Sequence, residues 1–199
     1  MRVKICGITR PEDALAAEAA GADAIGVVVC SGGVSVRSVP LERAAEIFEA
    51  VGPFTTTVAV THTREESDLD DILAVRPDCV QMSHPFSVPR PFGSRILRVI
   101  GSGDPVPAGC DAVILDESHG SGRSYNREAA IRLVRSSPVP VILAGGLDPA
   151  NVADAIAAVR PYAVDVCTGV ETRPGIKDPD LIRAFLRAAG RQSGDAGRP

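Results

Sequence analysis

The sequence lacks a C-x-x-C pair, a basic stripe and any apolar run near the ~18 residues a membrane-spanning helix needs. Its three histidines stand far apart, which offers no sequence-local metal motif. Five cysteines (Cys6, Cys30, Cys79, Cys110 and Cys167) are an odd number without framework spacing. Neither a disulfide scaffold nor a zinc site is expected, and a reduced, cytoplasmic setting is. A net charge of −4 argues against non-specific nucleic-acid binding. Met1-Arg2-Val3-Lys4 has no signal-peptide core and runs straight into a strand pattern. Residues 191–199, rich in Gly, Ser and charge, read as a loose tail behind a single domain over 1–190.

What is present is a rhythm. With 45% hydrophobic and 23% charged residues the chain can bury one sizeable core. Short apolar runs fall at Val3–Cys6, Ala24–Val29, Thr56–Val60, Cys79–Met82, Ile96–Ile100, Ala112–Leu115, Pro140–Ala144 and Ala163–Cys167. Helical patterns follow most of them. The first opens at Thr9-Arg10-Pro11-Glu12, a capping-box signature. Two intervals break the pattern: residues 85–92 are rich in proline, and 101–109 hold few helix formers. The expected fold is α/β, a compact single-domain (β/α)8 barrel with degenerate helices after strands 4 and 5. It is small beside the roughly 250 residues usual for that fold. An open doubly wound sheet is the alternative, but Cys6-Gly7-Ile8-Thr9 after strand one is not G-x-G-x-x-G.

In such a barrel chemistry belongs to the carboxyl ends of the strands. Alternation puts Lys4 and Cys6 inside, with Cys6 uppermost, and carries Asp116 to the top of strand six. Asp165, inward on strand eight, is placed to form a buried pair with Lys4. The turns "LAGGLDPAN" and "VCTGVETRPGIKD" after strands seven and eight suit a phosphate, and "SHGSGRSY" after strand six suits a closing loop. Each residue also has an ordinary reading. A lone cysteine is usually packing, an aspartate before a polar loop is often a turn residue, and Arg37 is by default a surface arginine.

In its motifs the chain resembles the phosphoribosylanthranilate isomerases of tryptophan biosynthesis. The resemblance rests on K-I-C-G-I-T-R at Lys4–Arg10, "AAGADAIG" at Ala19–Gly26, "ILDESHGSGRSYN" at Ile114–Asn126, "LAGGLDPANVADAI" at Leu143–Ile156 and "RPYAVDVCTGVETRPGIKD" at Arg160–Asp178. It implies an Amadori rearrangement of N-(5-phosphoribosyl)anthranilate without metal or organic cofactor. Cys6 corresponds to the general base and Asp116 to the general acid. Arg37 corresponds to the arginine facing the anthranilate end, and Gln81 to a substrate-facing residue on strand four. The backbone of Gly145, Gly146, Thr168 and Gly169 corresponds to the phosphate cradle. Where the family often shows S-P-R and Q-L-H-G, this chain has Ser35-Val36-Arg37 and Gln81-Met82-Ser83-His84. Two rival functions stand beside this one. A histidine-pathway or dual-specificity isomerase would want aspartate where Cys6 stands, and a non-catalytic phosphate-ligand-binding barrel would not need both proton-transfer groups. The expected partner is a small phosphosugar, with no nucleic acid and no membrane, for a free-standing monomer or homodimer.

Overall fold

A computed structural model describes residues 1–89, 91–116 and 126–191. Eight parallel strands pair in chain order and close on themselves, β1 against β8. They are β1 (Arg2–Ile5), β2 (Ala24–Val29), β3 (Thr56–Thr61), β4 (Cys79–Met82), β5 (Arg95–Ile100), β6 (Ala112–Leu115), β7 (Val141–Leu143) and β8 (Ala163–Val166). Helices α1 (Pro11–Ala19), α2 (Leu41–Ala50), α3 (Asp68–Ala74), α4 (Arg127–Ser136), α5 (Val152–Val159) and α6 (Pro179–Ala188) cover the outside. Among the described residues no helix follows β4 or β5, in line with the composition of residues 85–92 and 101–109.

Two layers of core result. One lies between strands and helices and includes Val3, Ile5, Ile25, Ile47, Ile72, Ile182 and Phe185. The other fills the barrel with smaller groups, among them Cys6, Val28, Val58, Val60, Ala112, Ile114 and Ala163. The alternation read from sequence is therefore the observed one.

Three aspartates stitch the lower rim by one repeated device. Asp23, Asp78 and Asp111 each stand just before a strand, in "GADAI", "RPDCV" and "GCDAV". Each accepts from the backbone N–H of the strand before: Val3 to Asp23 at 2.8 Å, Thr57 to Asp78 at 2.8 Å and Ile96 to Asp111 at 2.6 Å. These charged acceptors satisfy donors at strand starts.

Three expectations need correction. The capping box at α1 does not form: Arg10 holds the N-cap position without a side-chain cap. Thr9 instead donates to Gly175 O at 2.5 Å, so a long-range bond displaced the local one. Residues 171–177, read as one loop, form a small antiparallel hairpin of β9 (Glu171–Arg173) and β10 (Ile176–Lys177) behind a 3₁₀ turn at Thr168–Val170. Arg191, counted with the tail, is fastened to Gly21 O and Asp23. The rest of the tail and the loop 118–125 lie outside the described residues.

Where a helix is missing after β4, Arg98 of β5 stands in. Its guanidinium is buried and donates to the carbonyls of His84 (2.6 Å) and Phe86, pinning the loop across the strands. Arg98→Met removes those donors and is expected to cost about 1–3 kcal/mol. A urea midpoint equal to the parent's would show that packing alone holds the loop.

Candidate active site

Strand β1 delivers Lys4 into the barrel and, one residue past its end, Cys6. The Cys6 N–H donates to Val166 O at 2.8 Å, so the β1–β8 ladder fixes its position. Below it Lys4 Nζ meets Asp165 Oδ2 at 2.9 Å, with 4% and 7% of the two side chains exposed. The predicted buried pair is present. Burial alone would pull the ammonium down; Asp165 and Cys6 outweigh it and hold Lys4 firmly protonated.

Two glycines make this packing possible. A Cβ on Gly26 would lie 2.9 Å from Lys4 Cε and 3.0 Å from Cys6 Sγ. At Gly7, φ is +71°, and a Cβ would lie 2.6 Å from Cys167 Sγ and 2.7 Å from Arg37 Cδ. Larger residues have no room at either position. The K-I-C-G motif thus encodes a charge, a thiol and the turn that lets an arginine approach it.

Burial pushes the Cys6 thiol above its ordinary range, and the Lys4 ammonium opposes that push. Cys167, one residue past β8, is driven by burial and by Cys6 up to about 12. Asp116 follows β6 directly, half-buried, with its N–H on Ile100 O at 3.1 Å. Strand β6 stands three places from β1 around the closed barrel, beyond β8 and β7.

Cys6 and Asp116 line one cavity of about 210 Å³ at the carboxyl ends of the strands. Arg37, Gln81, Gly145, Gly146, Thr168, Asp165 and Cys167 line it too. Gly169, the fourth residue expected at the phosphate, sits in the adjoining 3₁₀ turn. A larger cavity, about 650 Å³, opens at the opposite end around Arg2, Cys79 and Arg95, away from Cys6 and Asp116. Chemistry, not size, marks the upper one.

The two glycine turns are braced against each other. Gly145 and Gly146 have φ of +91° and +64°. Asn151 Nδ2 donates to Gly146 O at 2.8 Å, and Asp148 Oδ1 accepts from the N–H groups of Ala150 and Asn151. A Cβ on Gly169 would lie 2.1 Å from Leu147 O, so only glycine lets the turns touch.

Sequence reasoning missed several groups. Glu171 grips Arg37 at two points, 2.8 and 2.7 Å, and is itself bonded by Lys177 Nζ at 2.8 Å. Both lie inside a quoted motif, but nothing local predicts the long-range reach. His62 Nδ1 and Ser83 Oγ stand 3.1 Å apart on the rim, whereas His84 packs edge-on against Phe86. Among the described residues no three His, Cys, Asp or Glu side chains converge as a metal site requires.

The buried pair makes a testable statement about stability. Lys4→Met strands a buried carboxylate beneath Cys6 and is expected to cost about 3–5 kcal/mol. Adding Asp165→Leu is expected to recover most of that loss in a denaturant titration. A double variant as unstable as the single one would contradict the pairing.

The model of the N-(5'phosphoribosyl)anthranilate (PRA) isomerase family matches residues 107–188. The isomerase of Methanoregula boonei is 62% identical over 189 residues, covering 95% of this chain and 96% of that one. That of Methanopyrus kandleri is 46% identical over 211 residues, 94% and 98% of the two chains. Among solved structures, the Thermus thermophilus isomerase superposes with a TM-score of 0.83 at 34% identity, covering 96% and 98%. A phosphoribosylanthranilate isomerase in complex with reduced 1-(o-carboxyphenylamino)-1-deoxyribulose 5-phosphate gives 0.78 at 32%, with the same coverage. The 3-hexulose-6-phosphate synthase of Salmonella typhimurium, 16% identical with a TM-score of 0.69, shares the fold. With a thiol and a carboxyl group in one barrel mouth and relatives matched over nearly their whole length, this chain belongs to the N-(5'-phosphoribosyl)anthranilate isomerase family.

Proposed function

We propose that the chain catalyses the Amadori rearrangement of N-(5-phosphoribosyl)anthranilate to 1-(2-carboxyphenylamino)-1-deoxyribulose 5-phosphate by general acid–base catalysis. The observation that carries this reading is the shared cavity of Cys6 and Asp116, contributed by the first and sixth strands of one closed barrel.

Asp116, as the acid, protonates the furanose ring oxygen, and the ring opens to a Schiff base. Cys6, as the thiolate, takes the C2 proton and leaves an enolamine. Ketonisation of the enolamine gives the product. The Schiff base is its own electron sink, so no cofactor enters these steps. A thiol suits the base because its ordinary pKa lies one or two units above neutrality.

The ends of the substrate have matching partners. Arg37 keeps N–H donors beyond the two that Glu171 engages, and a guanidinium fork suits the anthranilate carboxylate. Backbone N–H groups of Gly145, Gly146, Thr168 and Gly169 take the phosphate, in turns of the kind that cradle anions. Gln81 Oε1 and Asp165 Oδ1 are buried acceptors without a partner among the described residues, and both side chains line the cavity. They suit the sugar hydroxyls. The same reading places the protein in the cytoplasm, where its five free cysteines stay reduced, acting on a small phosphosugar. Among the described residues no helix is long and apolar enough to cross a membrane.

Decay of anthranilate fluorescence measures the reaction. Cys6→Ala and Asp116→Asn are each expected to lower kcat by about 10²–10⁴-fold while a product analogue still binds. Turnover near the parent's in either variant would move that role elsewhere. Arg37→Ala is expected to raise KM first.

The pH dependence has a definite sign. Burial raises the Cys6 pKa, and only the thiolate is a base. Only the thiolate is alkylated, so the rate at which iodoacetamide labels Cys6, followed by mass spectrometry of its peptide, is expected to rise with pH to a midpoint above the usual thiol value of about 8.5. A midpoint at or below that value would contradict the effect of burial on this thiol.

A further inference from the structure

Arg37 does not swing freely. Its Nε and Nη2 both donate to Glu171, which fixes the guanidinium plane. Glu171 is anchored in turn by Lys177 Nζ at 2.8 Å and Gly175 N at 3.2 Å. The Lys177 side chain is wholly buried; its ammonium also donates to Cys167 O at 3.0 Å, and its backbone N–H donates to Asp13 of α1 at 3.0 Å. A continuous line of bonds therefore runs from the helix layer to the arginine at the mouth.

The charges along that line alternate. Arg37 paired with Glu171 alone would be neutral and a poor partner for an anion. Lys177 restores one net positive charge. Burial alone would raise the Glu171 carboxyl, but the bonds from Arg37 and Lys177 outweigh it and hold it below its ordinary range, so the trio stays charged at neutral pH.

We propose that Glu171 and Lys177 are positioning residues for the substrate carboxylate: Glu171 fixes the fork of Arg37, and Lys177 returns the positive charge that Glu171 cancels. This rests on the assignment of Arg37 to the anthranilate end. A long arginine held in one rotamer before binding spares the complex an ordering cost. The trio accepts one carboxylate to reach neutrality, so it selects for an acidic aromatic amine over a neutral one.

The test compares KM and kcat for phosphoribosylanthranilate and for phosphoribosylaniline, which lacks the carboxylate. Glu171→Gln and Lys177→Met are each expected to raise KM for the first about tenfold, with kcat within about twofold. On the aniline substrate they are expected to match the parent. In an Arg37→Ala background Glu171→Gln is expected to add nothing. Arg37→Lys, which leaves Glu171 and Lys177 in place but cannot be gripped at two points, is expected to behave like Glu171→Gln and carries the comparison should that variant not fold. An equal loss on both substrates, a loss confined to kcat, or additivity with Arg37→Ala would make Glu171 a brace of the β9–β10 hairpin and overturn the proposal. Should Arg37→Ala leave KM for phosphoribosylanthranilate unchanged, the assignment of Arg37 itself fails, a separate result.

Discussion

Closure of the barrel at the β1–β8 seam is the constraint on which the site depends. An open sheet would leave two unpaired edges, and β1 with β8 removes both. Across this seam runs the Lys4–Asp165 pair, buried one layer below the Cys6 thiol. Two charges out of water are tolerated only when paired, so each residue obliges the other strand to be present and in register. The same ammonium approaches Cys6 and opposes the effect of burial on it. One contact thus ties fold closure to the proton affinity of the proposed base.

Much of this was legible in the sequence because it follows from alternation. Once the strand starting at Val3 is recognised, the inward course of Lys4 and Cys6 follows, and the parity of Ala112–Ile114 carries Asp116 to the rim. The buried pair followed because neither charge is acceptable alone. The missing helices showed as proline and poor helix formers. What stayed hidden depends on distance rather than pattern. Thr9 had a local capping role available and took a partner 166 residues away. Glu171 and Lys177 look like ordinary surface charges until the hairpin folds them onto Arg37. The lower-rim aspartates form a repeat spaced too widely and too briefly to stand out without the strands they serve.

The missing helices also show how function is divided around the rim. On the proposed mechanism, proton transfer uses β1 and β6, the carboxylate end the loops after β2 and β8, and the phosphate end those after β7 and β8. The side that lost its helices contributes Gln81 and Ser83, and the loop there is carried by one buried arginine. Shortening the chain at β4 and β5 therefore leaves the reacting groups on strands backed by α1, α4, α5 and α6. The economy falls where the site asks least of its scaffold.

A passive phosphate-binding barrel would need the glycine turns and little else. It would gain nothing from a thiol packed over a buried ammonium, an arrangement that leaves Gly26 and Gly7 no room for a side chain. Nor would it need an arginine whose fork is gripped by one carboxylate and recharged by a buried lysine. These features impose steric and desolvation costs on folding, and each bears on a group that would touch the substrate away from its phosphate. Binding energy at the phosphate holds the ligand. On the proposed mechanism the costly groups lie where the ring opens and the C2 proton leaves, which is the distribution that favours turnover over storage.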